Sequence, residues 1–449
     1  MPAGERLPSS RELVRRYHAS PVTVSRAVAR LVAEGVVTTR PGDGTFVAQP
    51  KTRARRTGAD LSWQTTALGD RVIDAAALRS YLEPVEPGTI SLAGGYPHAS
   101  LLPAREMSTA LQRAARRPDA WTRPPLFGLP ALQSWFSEEI GGAVGPEEVL
   151  ITNGGQSAMS LAIRALVAPG SPLLVESPTY PGALAAARAA GARPVPVPVD
   201  ADGIRTDLLQ ETFETTRAHA LYLQPLFHNP TGSVLLASRR DEVLRIAASA
   251  GAFVIEDDYA HYLGHEDRTP RPLIAEDISG HVMYVTSLTK AAAPSLRLGA
   301  LVGRGPAAER VRALHVVDQF FVPRFLQEAA LELVTSPAWQ RHLRSLRQVL
   351  QTRRQVLQAA LARLAPELVV EQVPRGGMHL WAHLRKTVDE QDLAEACRRQ
   401  GVLVSAGSPY FAAEPPGAYL RLSFSAVADA GDLEVASQRI AAALRGMAR

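Results

Sequence analysis

Between Ser9 and Gly35 apolar residues recur twice at three- and four-residue spacing, which predicts two short helices with a break between them. Ser9 and Glu12 form a capping box for the first, whose apolar stripe is Leu13, Val14 and Tyr17. Ser20 and Pro21 restart the chain as N-cap and first-turn residue of the second helix, PVTVSRAVARLVAEG. This helix is expected to bury Val24, Val28 and Leu31 and to leave Thr23, Ser25, Arg26 and Arg30 on a polar face. Gly35 ends it, and VVTTR and TFVA follow as short strands around the turn PGDG. Helix, turn, helix and hairpin predict a small winged helix-turn-helix domain over residues 1–48.

Residues 49–75 lose this periodicity and read as a basic, polar linker. From about residue 85 the apolar pattern changes: EVLIT, SPLLVES, ALYLQPL, AFVIEDD and HVMYVTS are short, nearly unbroken runs separated by Ala/Leu-rich helical stretches. Unbroken strands need cover on both faces, so residues 76–449 are predicted to be an α/β domain, a mostly parallel sheet with helices on both sides. No apolar run reaches the length of a membrane span, and the first residues lack the apolar core of a secretory leader. Cys397, the single cysteine, cannot close an intramolecular disulfide. The expectation is a soluble cytoplasmic protein with no membrane partner.

Apolar residues make up 46% of the 449 and charged residues 21%, which excludes a disordered or coiled-coil chain. Charge is placed unevenly. Residues 1–56 hold eleven Lys/Arg against four Asp/Glu, a net +7, so the remaining residues carry +5 minus +7, or −2. A basic first domain on a nearly neutral second one points to nucleic acid as the partner of the first. Lysine is almost absent: only Lys51, Lys290 and Lys386 occur among 49 basic residues.

Ligands of such sheets gather at the carboxyl ends of the strands, and the unusual residues lie there. EVLIT is followed by Asn153, Gly154, Gly155 and Gln156, small residues that expose a helix N-terminus to phosphate. ALYLQPL is followed by His228, Asn229, Pro230, Thr231 and Gly232, AFVIE by Asp257, Asp258 and Tyr259, and HVMYV by Thr286, Ser287, Leu288, Thr289 and Lys290, with Arg297 beyond. Each has an ordinary reading: a turn, a pair of capping acids, a surface lysine. Together they are sharper, because only a primary amine forms a Schiff base and arginine has replaced lysine almost everywhere else. No metal-ligand spacing is present.

LPSSREL, TVSRAVARLVAEG and RPGDGTFV resemble the GntR family of bacterial regulators, which implies DNA contacts by Ser9, Arg11, Thr23, Ser25, Arg26, Arg30 and Arg40. That family carries another helix before its GERLPS stretch, so a first helix is expected to be missing or to lie upstream of Met1. The larger region resembles the fold-type I aminotransferases, which implies pyridoxal 5′-phosphate as cofactor. On that resemblance Lys290 in SLTKAAAPSLRLG holds the cofactor as an aldimine, Asp257 pairs with its ring nitrogen, and Tyr259 and Asn229 meet its ring oxygen. Tyr180 in ESPTYPG stacks on the ring, Gly154, Gly155, Gln156, Ser287 and Arg297 hold the phosphate, and Arg421 in YLRLSFS, with Asn229, grips a substrate carboxylate. Lys290, Asp257 and Tyr259 would be the catalytic set, with Lys290 buried near positive charge such as Arg297 that depresses its pKa. Two departures stand out. The stretch WTRPPLFG lacks the tyrosine that the family sends to the neighbouring subunit's phosphate, leaving Trp121 or Arg123 to substitute, and Ser295 stands where glycine is commoner. The whole chain resembles the MocR/GabR family of regulators, which implies a homodimeric sensor of an amino acid or amine acting on an operator. An aminotransferase that turns over an amino acid is the alternative.

Overall fold

The computed structural model describes residues 4–40, 43–48, 60–69, 73, 75–82, 85–266, 269–384 and 388–447. The chain packs as two units, Met1–Val72 and Ile73–Arg449. The division falls inside the stretch expected to be a linker, whose beginning at 49–59 lies outside the described residues.

In the first unit, helices α1 (Ser10–Tyr17) and α2 (Pro21–Ala33) precede an antiparallel hairpin of β1 (Val37–Arg40) and β2 (Gly44–Val47). The capping box forms as the sequence predicts: Ser9 Oγ accepts the Glu12 N–H at 3.3 Å, and Glu12 Oε2 accepts the Ser9 N–H at 2.7 Å. Ser20 Oγ caps α2 through the Thr23 N–H at 3.1 Å. Of the three apolar residues expected inside α2, only Val24 is buried; Val28 and Leu31 are half-buried. A unit this small has too little chain to close over its own helix. A third extended segment also appears, with the Gly4 N–H on Val47 O at 2.9 Å and the Leu7 N–H on Thr45 O at 2.7 Å. Within the expected linker, α3 (Ser62–Leu68) is an exposed helix.

The second unit begins with α4 (Ala76–Leu82), the two-residue strand β3 (Ile90–Ser91), α5 (Ala104–Ala115) and α6 (Pro130–Ile140). The main sheet then builds from β4 (Val149–Thr152), α7 (Gly155–Leu166), β5 (Pro172–Ser177), α8 (Pro181–Ala189), β6 (Arg193–Asp200), β7 (Gly203–Ile204), α9 (Thr206–Thr216), β8 (Ala220–Leu223), α10 (Ala237–Ala250), β9 (Phe253–Asp258), β10 (Val282–Ser287) and β11 (Gly299–Val302). Its strand order is β4-β11-β10-β9-β8-β5-β6-β7. Neighbours from β10 to β6 are parallel, while β11 runs antiparallel to both β10 and β4. All five predicted strands are present. Along β8, β9 and β10 alternate residues enter two separate cores: Leu221, Val254 and Tyr284 face one helical layer, Tyr222, Ile255 and Val285 the other. Helices therefore cover both faces, and this explains why the strands lack a polar side.

The remainder supplies α11 (Gly305–Gln319), α12 (Arg324–Val334), the long α13 (Pro337–Leu364), β12 (Leu368–Val369), β13 (His379–Leu384), α14 (Glu390–Arg399), β14 (Val402–Leu403), β15 (Ser405–Ala406), β16 (Tyr419–Ser423) and α15 (Ala430–Met447). β12, β13, β16 and β15 form an antiparallel sheet that carries His379 and Arg421, and β14 pairs with β3. Among the described residues no helix is long and apolar enough to cross a membrane.

Candidate cofactor and ligand site

The carboxyl ends of β4, β9 and β10, with β16 opposite, enclose a cavity of about 630 Å³. Gly155, Gln156, Tyr180, Asn229, Asp257, Tyr259, Ser287, Lys290, Arg297 and Arg421 all line it, so the sheet brings together every one of the sequence-predicted residues except Gly154. Gly154 sits just behind, as the N-cap of α7.

One end of the cavity is built for an anion. Gly154 adopts φ 84°, ψ 171°, a conformation nearly reserved for glycine, and gives α7 no side-chain cap. The first N–H groups of α7 are thus left for a ligand. A Cβ on Gly154 would lie 3.0 Å from Arg297 Nη2 and 3.4 Å from Thr289 Oγ1. Arg297 donates to Asn153 O at 3.2 Å, and Thr289 Oγ1 is buried with no hydrogen-bond partner among the described residues. An orphaned hydroxyl beside a guanidinium and an open helix N-terminus fits a phosphate group. Gly154→Ala is expected to weaken cofactor binding about tenfold, from roughly 1–3 kcal/mol of backbone strain, as read by fluorescence titration of the cofactor-free protein.

The middle of the cavity holds an aromatic side chain and a buried carboxylate, a pairing that fits a flat ring with a basic nitrogen. Tyr180 donates to Gln156 Oε1 at 3.1 Å, and its ring lies so close to Gly182 that a Cβ there would fall 2.3 Å from ring carbons. Asp257 accepts from Tyr222 Oη at 2.5 Å and from Gln224 Nε2 at 3.0 Å. Both bonds land on Oδ2, and Oδ1 receives none among the described residues, which leaves an acceptor for a ring N–H. Burial, partly offset by those two hydrogen bonds, lifts the Asp257 pKa to about 6. A cationic ring nitrogen would pull it back down. Asn229 is tied to the same network by its N–H on Gln224 Oε1 at 3.2 Å. Tyr259 donates its phenolic proton to Phe227 O at 2.8 Å, so in this arrangement it faces a ring oxygen as an acceptor.

Lys290 follows β10 and points its amine at Gly95 O, 2.5 Å away, with Nζ 3.7 Å from the centre of the Tyr96 ring. Its pKa falls from the usual lysine range to about 7, first because the amine is withdrawn from water, then because Arg421 and Arg297 stand near; Asp257 opposes them. The expected depression is present, and Arg421 outweighs the predicted Arg297. A lysine with this pKa is largely protonated and inert below pH 7 and nucleophilic above it. Uptake of an aldehyde cofactor by the cofactor-free protein is therefore expected to accelerate through a midpoint near pH 7, some three units below an ordinary lysine, in stopped-flow absorbance.

Arg421, on β16, donates to Ala93 O at 2.6 Å and to Asn229 Oδ1 at 3.4 Å, with His379 Nε2 also 3.4 Å away. Burial, Arg421 and Lys290 together keep His379 uncharged. Tyr222, Gln224, Thr289, His379 and Tyr96 were not assigned roles by sequence reasoning. Register places Tyr222: it pairs with Ile255 across β8 and β9, so Asp257 lies two residues on along the same face. Trp121 and Arg123 lie outside the cavity lining, and Ser295 lies within it.

In the first unit, all seven predicted DNA contacts are exposed. The Ser9 and Thr23 hydroxyls are engaged at helix N-termini, Arg30 pairs with Glu34 at 2.8 Å, and the Arg40 guanidinium lies 4.8 Å from the Phe46 ring centre. Arg11, Ser25 and Arg26 project from α1 and α2.

Fold and site together define a helix-turn-helix protein joined to a domain built like the aminotransferases. Residues 93–440 match the family "Aminotransferase class I and II", and residues 1–47 match "Bacterial regulatory proteins, gntR family". The HTH-type transcriptional regulator YdfD of Bacillus subtilis is 28% identical over 94% of this chain and 89% of its own. The 2-aminoadipate transaminase of Thermus thermophilus is 32% identical over 86% of this chain and 98% of its own. The crystal structure of LysN, an alpha-aminoadipate aminotransferase from Thermus thermophilus complexed with N-(5'-phosphopyridoxyl)-L-leucine, superposes with a TM-score of 0.80 at 30% identity, covering 87% of this chain and 99% of that one. The chain belongs to the aminotransferase class I and II family and carries a GntR-type regulatory domain at its start. Its cofactor is pyridoxal 5′-phosphate.

Proposed function

We propose that this protein is a DNA-binding transcriptional regulator that senses an amino acid or amine through pyridoxal phosphate held at Lys290. The observation that carries the reading is the amine of Lys290, kept near neutrality inside the cavity that also holds Asp257 and Arg421. When bound, the cofactor supplies an aldehyde for a primary amine and a ring that withdraws electrons. Gly154, Gly155, Gln156, Ser287, Thr289 and Arg297 would hold its phosphate; Tyr180 would cover one ring face; Asp257, braced by Tyr222 and Gln224, would hold the proton on the ring nitrogen; Asn229 and Tyr259 would address the ring oxygen. Arg421, with Asn229, orients the ligand's carboxylate through a planar fork. A ligand amine oriented in this way would compete with the Lys290 amine for the cofactor's aldehyde. This difference between free and occupied states is what the winged helix reads, so the ligand's binding energy becomes a change in DNA affinity.

The functional unit is a homodimer on a two-half-site operator. Trp121, Val317 and Phe320 leave 74%, 77% and 68% of their surface open on the second unit, large apolar side chains suited to a subunit contact. Ser9, Arg11, Thr23, Ser25, Arg26, Arg30 and Arg40 form the DNA face, in a protein of the cytoplasm. Arg26→Ala and Arg30→Ala are each expected to weaken DNA binding without altering the cofactor spectrum. Each should also reduce the slope of log affinity against log salt by about 0.9 for every phosphate the protein no longer neutralises. A slope unchanged by both substitutions would overturn this face. A gel shift on the DNA flanking its own gene, with and without pyridoxal phosphate and a panel of amino acids, tests the whole reading. A cofactor-dependent shift supports the sensor.

Catalytic turnover is the second reading, favoured by the pKa of Lys290. An amine that gains and loses a proton near neutrality suits the shuttling of a substrate α-proton. Brisk keto-acid production with no DNA shift would select it.

A further inference from the structure

β8 ends at Leu223, and the turn that follows it, from Gln224 to Asn229, reaches three of the groups assigned to the cofactor's ring. Gln224 Nε2 donates to Asp257 Oδ2 at 3.0 Å, Phe227 O accepts the phenolic proton of Tyr259 at 2.8 Å, and the last residue is Asn229 itself. Its two ends are tied together by the Asn229 N–H, which donates to Gln224 Oε1 at 3.2 Å. From β5, Glu176 Oε2 accepts the Gln224 N–H at 2.7 Å and lies 3.4 Å from His228 Nε2. Gln224, Glu176 and His228 are all buried, so water does not compete for these contacts. Between the ends Phe227 is held at φ 48°, a left-handed conformation that a bulky residue keeps only where its surroundings fix it. Its ring packs against Gly376 so closely that a Cβ there would fall 2.3 Å from a ring carbon.

Resting on the site reading above, we infer that Gln224 is a positioning residue that holds Asp257, the partner of the ring nitrogen, and Asn229, a partner of the ring oxygen, at one fixed separation. A primary amide carries donors on one atom and an acceptor on the other, so this side chain serves Asp257 and Asn229 at once. A hydrocarbon of the same length serves neither, and asparagine is one carbon too short to span both. The Tyr222 hydroxyl also donates to Asp257 but has no link to Asn229 among the described residues. Tyr222, Asp258, Tyr259, Glu176 and Lys290 act on the same carboxylate and stay in place when Gln224 is changed.

The test uses the cofactor-free full-length chain and 4-deoxypyridoxine 5′-phosphate, which has the ring nitrogen, ring oxygen and phosphate but no aldehyde, so the chemistry of Lys290 does not enter. Its affinity for the wild-type chain is expected to fall as the pH drops through about 6, where Asp257 takes up a proton. Gln224→Met and Gln224→Asn are each expected to weaken it about tenfold and to move that midpoint up by about one unit, because a carboxylate loses one hydrogen bond. Inorganic phosphate, which needs only the other end of the cavity, should bind all three proteins alike. Combined in one chain, Gln224→Met and Asn229→Ala should cost at least about threefold less than the product of their separate losses, whereas the losses from Tyr222→Phe and Asn229→Ala multiply. An unchanged midpoint in both Gln224 variants, or independent effects of Gln224→Met and Asn229→Ala, would overturn the inference while the cofactor site stands. A wild-type chain that binds phosphate but not the deoxypyridoxine ester would remove the site reading, and this inference with it.

Discussion

With alanine in place of Lys290, the purified protein loses its covalent hold on pyridoxal phosphate completely: borohydride reduction leaves no cofactor attached, and the yellow colour of the wild-type chain washes out on dialysis. Lys290→Arg gives the same result although it keeps the positive charge, because a guanidinium is not a primary amine and stays protonated. The comparison separates chemistry from electrostatics. Gly95 O and the Tyr96 ring face the Lys290 amine as acceptor and π-surface, partners suited to any cation, so a variant that fails only through its missing charge would be rescued by arginine. Reducible cofactor surviving in either variant would remove Lys290 from the role assigned to it.

Arg421→Ala is expected to weaken the binding of α-amino acids by about 2–5 kcal/mol, at least about 30-fold, because it truncates one partner of a desolvated charge pair. The loss is specific to the carboxylate. Leucine should suffer it, whereas 3-methylbutylamine, which has the same side chain and no carboxylate, should bind both proteins alike. The substitution also removes the positive charge that acts most strongly on Lys290. The lysine pKa rises, and the midpoint for cofactor uptake moves above pH 7. Arg421→Lys recovers the charge but not the two-donor fork, so it restores the midpoint more fully than the affinity. Equal losses for leucine and the amine would mean that Arg421 acts through folding.

The strands before the site were legible because each is a short apolar run, and the residues that cluster around the cavity were legible because they fall at the strand ends. Lys290 stood out through composition: in a chain with three lysines, one that follows a buried strand invites a chemical reason. What was not legible depends on register or on distant chain. Tyr222 reaches Asp257 because β8 and β9 pair in one alignment among several that an apolar run allows. Leu78 and Leu82, two further residues of the cavity lining, come from a short helix beside the stretch that reads as linker, and Tyr96 lies far in sequence from the lysine it covers. β6, with prolines at 194, 196 and 198, looks unfit for a sheet; alternate residues address the same neighbour, so all three prolines fall on one side of a strand that has only the tiny β7 beyond it. In the winged unit the polar face of α2 was clear, while the depth of its burial was overestimated because periodicity reports which side faces inward and not how much chain is there to cover it.

Borohydride reduction of the wild-type holoprotein followed by peptide mapping tests the central claim directly, since the chain offers three lysines to choose from. The account predicts the reduced pyridoxyl group on Lys290 alone, at one per chain. A label on Lys51 or Lys386, or a protein that binds no pyridoxal phosphate at all, would contradict it.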